Sequence, residues 1–141
     1  PVENVLNVGK GGGAGGLQTS TLALGLTRAA LAYAREEATR RDSLHAPVEA
    51  LQAEAEGLIE ALLAAASDTS TAPLDNVALR GSANSLVLRA TQLGLAAAKG
   101  AGYADTHAAG RWCREALFFL VWSCPQPVID ENLRELARLP A

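Results

Sequence analysis

Gly11, Gly13 and Gly16 stand at the spacing G-x-G-x-x-G inside the run Gly9-Lys10-Gly11-Gly12-Gly13-Ala14-Gly15-Gly16. Such glycines hold a pyrophosphate when they form a tight turn between a strand and a helix N-terminus, where backbone N–H groups point at the anion. No strand–helix–strand unit follows here, and no lysine is followed by Ser or Thr as a P-loop requires. The acids nearest the expected ribose position, Glu36 and Glu37, fall on a helix. The run therefore reads as a flexible entry loop. His45 and His107 lack a second His, Cys or acid at ligand spacing, so no metal site is expected. Ser123 and Cys124 offer a hydroxyl and a thiol without a histidine nearby in sequence, and read as a helix-end hydroxyl and a buried thiol. Cys113, the second cysteine, reads as buried too.

Arg111 and Arg114 lie one helical turn apart and flank Trp112 and Cys113, just before an apolar run. A buried or half-buried arginine needs a partner. Two readings stand: an internal salt bridge to Glu3 or Asp130, or one wall of a site.

The elements that must position these residues are helical. Hydrophobic residues make up 49% of the 141-residue chain but aromatics only 4%, so the core is built of Leu, Ala and Val, which favour closely packed helices. A first helix is expected from Leu17 to about Arg41; its stretch Thr21 to Ala34 is apolar on nearly every side except Thr27 and Arg28, which makes it the central helix. Val48, Leu51, Ala55, Leu58, Ile59, Leu62 and Leu63 recur at helical spacing and define an amphipathic surface helix that opens on Pro47. It closes in the loop Ser67 to Thr71. A third helix runs from Pro73 or Leu74 to Lys99, with small residues that let a neighbour approach closely, and Gly100-Ala101-Gly102 stops it. Asp105 or Thr106 caps a fourth, whose stretch Ala116 to Trp122 is hydrophobic all round and expected to be buried. Pro125 and Pro127 end it; Ile129, Leu133 and Leu136 mark a short last helix. The fold class is thus all-α: an antiparallel four-helix bundle, residues 17–141, with an extra short C-terminal helix.

Net charge is −3, without a dense Lys/Arg cluster, so nucleic acid is not an expected partner. The longest strongly apolar stretch, Ala116 to Cys124, is far too short for a bilayer, and a cytoplasmic location without membrane contact is expected. Pro1 to Val8 reads as an extended entry, and residues 1–16 together as the exit from an upstream domain.

With these residues placed, the order of features resembles the C-terminal helical domain of the acyl-CoA dehydrogenase family of flavoproteins, over essentially the whole chain. Pro1-Val2-Glu3-Asn4-Val5-Leu6 followed by Gly9-Lys10-Gly11 resembles the junction between that family's middle β-domain and its helical domain. Arg41, Pro47 and Gln52 match an Arg-x-Gln-Phe-Gly turn followed by Pro and Gln, whereas Ser43, Leu44 and His45 depart from it. Gly100-Ala101-Gly102-Tyr103 and Arg111-Trp112-Cys113-Arg114-Glu115-Ala116 fall without gaps on Gly-x-Gly-Tyr and Arg-x-x-Arg-Asp-Ala.

The resemblance implies FAD as cofactor of the full-length protein, acyl-CoA or a related thioester as substrate, and a homo-oligomer, dimer or tetramer, built through this domain. It implies Arg41, Gly100 and Gly102 as cofactor-binding residues, with Arg41 reaching the flavin diphosphate of a neighbouring subunit. The same alignment puts Ser123 where the family carries its glutamate base. A neutral hydroxyl does not accept an α-proton near pH 7 without its own base. The alternative position for that base, on the first helix, is closed as well, because Ala14 to Arg35 contains no acid. The expectation is a domain that forms the oligomer core and one wall of the flavin and acyl pocket, inactive and colourless alone. The alternatives are a flavin-dependent monooxygenase or other divergent enzyme on the same fold, and a non-enzymatic helical assembly module.

Overall fold

The computed structural model describes residues 17–67 and 76–139. The glycine run, the extended entry, the bulk of the loop after Ser67 and the proposed start of the third helix at Pro73 or Leu74 lie outside the described residues. Within them the protein is all-α, with five helices and no strand: α1 (Leu17–Ala38), α2 (His45–Ala66), α3 (Asn76–Ala98), α4 (Ala108–Val121) and α5 (Gln126–Ala137). Short 3-10 turns, Asp42–Leu44 and Lys99–Tyr103, close the α1–α2 and α3–α4 connections.

Side-chain pairs fix the directions. Arg89 of α3 bonds Glu54 of α2, and Val48 near the start of α2 packs with Ala97 near the end of α3, so these two run antiparallel. Arg80 reaches Trp122 while Cys113 reaches Thr91, which sets α4 antiparallel to α3. Tyr33 meets His107 while Leu22 lies by Phe118, which sets α4 antiparallel to α1. The up-down-up-down bundle that results is the one expected of long helices joined by short turns.

The central helix is α3 rather than α1. Thirteen of its residues are buried and it packs on all four other helices. Its small residues are the reason: Gly94 comes so close to α1 that an added Cβ would lie 3.6 Å from the Ala30 carbonyl oxygen. Ala23, Leu24, Ala30 and Leu31 of α1 meet Ala83, Leu86, Val87 and Ala90 of α3 in one cluster, closed by Ala116 and Phe119 of α4. Full burial of a Leu86-sized side chain is worth about 2 kcal/mol in transfer terms. α1 keeps an outward face, and the polarity expected at Thr27 is satisfied inside: its buried hydroxyl donates to the Ala23 carbonyl at 2.9 Å. α2 is the surface helix its pattern predicts, with only Val48 and Ala55 fully buried.

Several expected faces are different in the structure. α1 ends at Ala38, earlier than expected, and the amides of Thr39, Arg40 and Arg41 then bond three residues back in a tightened last turn. The stretch Ala116 to Trp122 is not buried all round. Ala116 and Phe119 face the core, while Val121 is 78% exposed and Trp122 58%, because no described element packs outside α4. α5 buries Val128 and Asn132 and turns Leu133 and Leu136 outward, the opposite of the face its leucines suggest. Neither Asp105 nor Thr106 caps α4: His107 does, its Nδ1 accepting from the Ala109 N–H at 3.1 Å. Cys113 and Cys124 are half-buried, not buried.

Candidate functional site

A groove of about 560 Å³ lies between α1 and α4. Leu22 and Leu26 form one side; Phe118 and Phe119 form the other. Arg111, Arg114 and Glu115 stand at the end nearer the start of α4. The apolar surface continues past the groove, since Phe118 stacks on Trp122 with ring centroids 5.2 Å apart and both rings remain exposed. The helical period explains the arrangement: Arg111, Arg114, Phe118 and Val121 follow one another at three- and four-residue steps on the outward face of α4, and Trp122 comes four residues after Phe118.

Arg111 and Arg114 are exposed, and neither pairs with Asp130. Arg111 pairs with Glu115 on its own helix at 3.3 Å, and Arg114 has no ion pair among the described residues. The other expected partner, Glu3, lies outside the described residues. The arginine that is buried is Arg80, which sequence reasoning passed over. It donates from Nε to Asn84 Oδ1 at 3.1 Å and from Nη2 to the Trp122 carbonyl at 3.2 Å, and Asn84 Nδ2 donates to Asn132 Oδ1 at 3.0 Å. Burial lowers the Arg80 pKa, opposed by the Cys124 thiol beside it. The available signal was an Arg and an Asn one turn apart among the small residues Gly81, Ser82 and Ala83.

The residues singled out by the resemblance fall at two separate ends of the bundle. Arg41, Gly100 and Gly102 share one end. Arg41 Nη2 donates to the carboxylate of Glu37 at 2.8 Å and to the Ala97 carbonyl that closes α3, so its charge faces the negative end of a helix. Gly102 is buried beneath Leu95 and Ala98, and Gly100 is exposed. Ser123 sits at the far end of α4, a helix of 14 residues and hence about 21 Å long. Its φ of 51° is left-handed, in the turn between α4 and α5. No His, Asp or Glu among the described residues bonds its hydroxyl.

His45 opens α2 on the surface, and His107 is engaged as a cap with its ring edge-on to Tyr33 at 5.6 Å. Burial raises the Tyr33 pKa, helped by the nearby Glu37. Among the described residues no three His, Cys, Asp or Glu side chains are grouped to hold a metal ion, and no helix is long and apolar enough to cross a membrane. Comparisons with protein-family models, with curated proteins and with solved structures return no match. The arrangement is an apolar groove edged by guanidinium groups, with no hydrogen-bonded His–carboxylate pair beside it among the described residues.

Proposed function

We propose that this chain is the helical domain of an acyl-CoA dehydrogenase-like flavoprotein and that it contributes surface to the flavin and acyl pocket rather than acid–base chemistry. The observation that carries the reading is the open apolar groove of α1 and α4, where Phe118 stays exposed beside Trp122, in a domain that the resemblance makes one wall of the flavin and acyl pocket. A face of this kind marks a site that a ligand or another protein surface covers. Arg41, Gly100 and Gly102, the residues proposed to meet FAD, share one end of the bundle, which fits a common cofactor edge contributed to a neighbouring subunit.

The test compares this chain with the same chain joined to the upstream domain that the reading requires. The longer protein is expected to bind FAD and to oxidise acyl-CoA with an artificial electron acceptor, while the 141-residue chain purifies colourless. A flavin spectrum from the short chain alone would overturn the division of labour.

A second reading is favoured by Ser123, whose hydroxyl has no hydrogen-bonded base among the described residues. A flavin-dependent monooxygenase on the same fold needs no such base, because the flavin activates oxygen. Oxygen consumption by the longer protein with reduced flavin, without acyl-CoA oxidation, would select it. If neither activity appears and light scattering gives a dimer or tetramer, the domain serves assembly alone.

A further inference from the structure

His107 closes α4 in a way that only one protonation state allows. Its backbone is extended, at φ −86° and ψ 129°, and its Nδ1 accepts the Ala109 N–H at 3.1 Å, one of the amides that a helix start leaves without a partner. An imidazole nitrogen accepts only through its lone pair, so the ring that caps α4 is neutral and carries its proton on Nε2. A second proton goes to Nδ1 and removes the acceptor. N–H then faces N–H, and a positive charge stands at the positive end of the helix. A serine or asparagine cap has no such step.

The surroundings hold no acid that would keep the charged ring in place. From α1 the ring meets Tyr33 edge-on, and Glu37, one turn beyond Tyr33, is committed to Arg40 and Arg41. The 3-10 turn brings Lys99 and Tyr103, both exposed, and the approach to α4 brings exposed Asp105. On α4 itself Arg111 pairs with Glu115, and the Arg114 guanidinium reaches back to within 3.7 Å of where a Gly110 Cβ would stand. The charged residues of α3 are Arg80 and Arg89, neither of them in its last two turns. No carboxylate is paired with the His107 ring among the described residues.

The cap secures a contact as well as a helix end. Behind it the backbone is stitched, His107 N–H to the Ala104 carbonyl at 2.9 Å and Ala104 N–H to the Ala101 carbonyl at 3.0 Å. Beyond it, Gly110 lies so close to the Gly102 carbonyl oxygen that no Cβ fits between them. The first turn of α4 is thereby seated on the turn Lys99–Tyr103.

We propose that the start of α4 is an acid-operated catch: a proton taken up at His107 Nδ1 frees the Ala109 N–H and lets the first turn of α4 lift from the turn Lys99–Tyr103. Imidazoles change charge between about pH 8 and 5, so the catch is closed at the upper end of that range and open at the lower. Its contribution to stability is present above the range and is lost as pH falls through it. The inference does not rest on the flavoprotein reading, although the end it loosens is the one that carries Arg41, Gly100 and Gly102.

The test uses the 15N-labelled 141-residue chain and His107→Ser, whose hydroxyl accepts throughout the range. Long-range imidazole 15N correlations at about pH 8 are expected to show Nε2 protonated and Nδ1 bare. As the pH is lowered to about 5, the Ala109 amide signal is expected to move along the same titration curve as the His107 ring. Over the same range the unfolding equilibrium constant of the unaltered chain is expected to rise about fivefold relative to that of His107→Ser. His45, exposed at the start of α2, is common to both proteins and drops out of the ratio. A proton on Nδ1 at the upper pH, an Ala109 amide that ignores the titration of the ring, or a constant ratio between the two proteins would overturn the proposal. If His107→Ser does not fold, the two spectroscopic readouts on the unaltered chain decide alone.

Discussion

The Arg80 guanidinium donates to the Trp122 carbonyl oxygen at 3.2 Å, so a fully buried cation near the start of α3 holds the turn that ends α4. No carboxylate pairs with it among the described residues. Arg80→Ala is expected to lower stability by about 3 kcal/mol, through a cavity and stranded acceptors on Asn84 and Trp122. Arg80→Met, which fills the space without charge, is expected to recover more than half of that loss. Urea denaturation of the two variants checks the ordering; equal losses would assign the effect to the hydrogen bonds alone.

Gly110 and Gly25 make opposite predictions for the same substitution. A Cβ on Gly110 would collide with the Gly102 carbonyl oxygen, which is backbone and cannot rotate away, so Gly110→Ala is expected to cost about 1–3 kcal/mol. Gly25 is exposed in α1 with nothing within 4 Å of an added Cβ, and Gly25→Ala is expected to gain up to about 1 kcal/mol. Thermal unfolding should move the two midpoints in opposite directions.

His107 caps α4 through a lone pair on Nδ1. His107→Ala is expected to cost about 1 kcal/mol, and His107→Ser to restore most of it, since a hydroxyl oxygen accepts in the same position. Circular dichroism melts of the three proteins test this; equal stability of Ala and Ser would mean that the ring contact with Tyr33, not the cap, matters.

Cys113 donates to the Thr91 carbonyl at 3.2 Å, and burial raises its pKa in spite of opposing contributions from that bond and from Arg114. A raised folded pKa favours the neutral thiol in the native state. The associated stability is present below the unfolded thiol pKa of about 8.5 and is lost as pH rises through the higher folded value. Stability is therefore expected to fall above pH ~9, and Cys113→Ala to flatten that fall. A pH series of denaturation midpoints that is unchanged in the variant would contradict it.

The outward face of α4 predicts a spectroscopic result. Trp122, being exposed, should be readily quenched by iodide, and Trp122→Phe should leave mainly the less accessible emission of half-buried Trp112. Phe118→Ser should change stability by less than about 1 kcal/mol while reducing binding of an apolar dye.

The helices themselves were legible because their signal is local: periodic leucines in α2, glycines after α3, prolines around the start of α5. Burial was not. Leu133 and Leu136 look like core residues and are exposed, whereas Asn84, Arg80 and Asn132 look like surface residues and are buried. Periodicity gives the angle between side chains on one helix but not which side its neighbours occupy. That choice depends on the close approach allowed by small residues such as Gly94 and, among the described residues, on the absence of any element outside α4. For the candidate site, the resemblance named Arg41 and Gly102 separately, and the fold places both at one end of the bundle; nothing in the sequence pointed to the relay of Arg80, Asn84 and Asn132, in which Asn84 and Asn132 meet across two helices from 48 positions apart.

α3 packs on every other helix, whereas α5 rests on α3 and only lightly on α4. The bundle should therefore open from its C-terminal edge, with α5 amides exchanging hydrogen for deuterium well before those of α3. Each such excursion would separate Asn132 from Asn84 and strip the Arg80 relay of its end. The slowest-exchanging residues of the protein should then lie along the middle of α3.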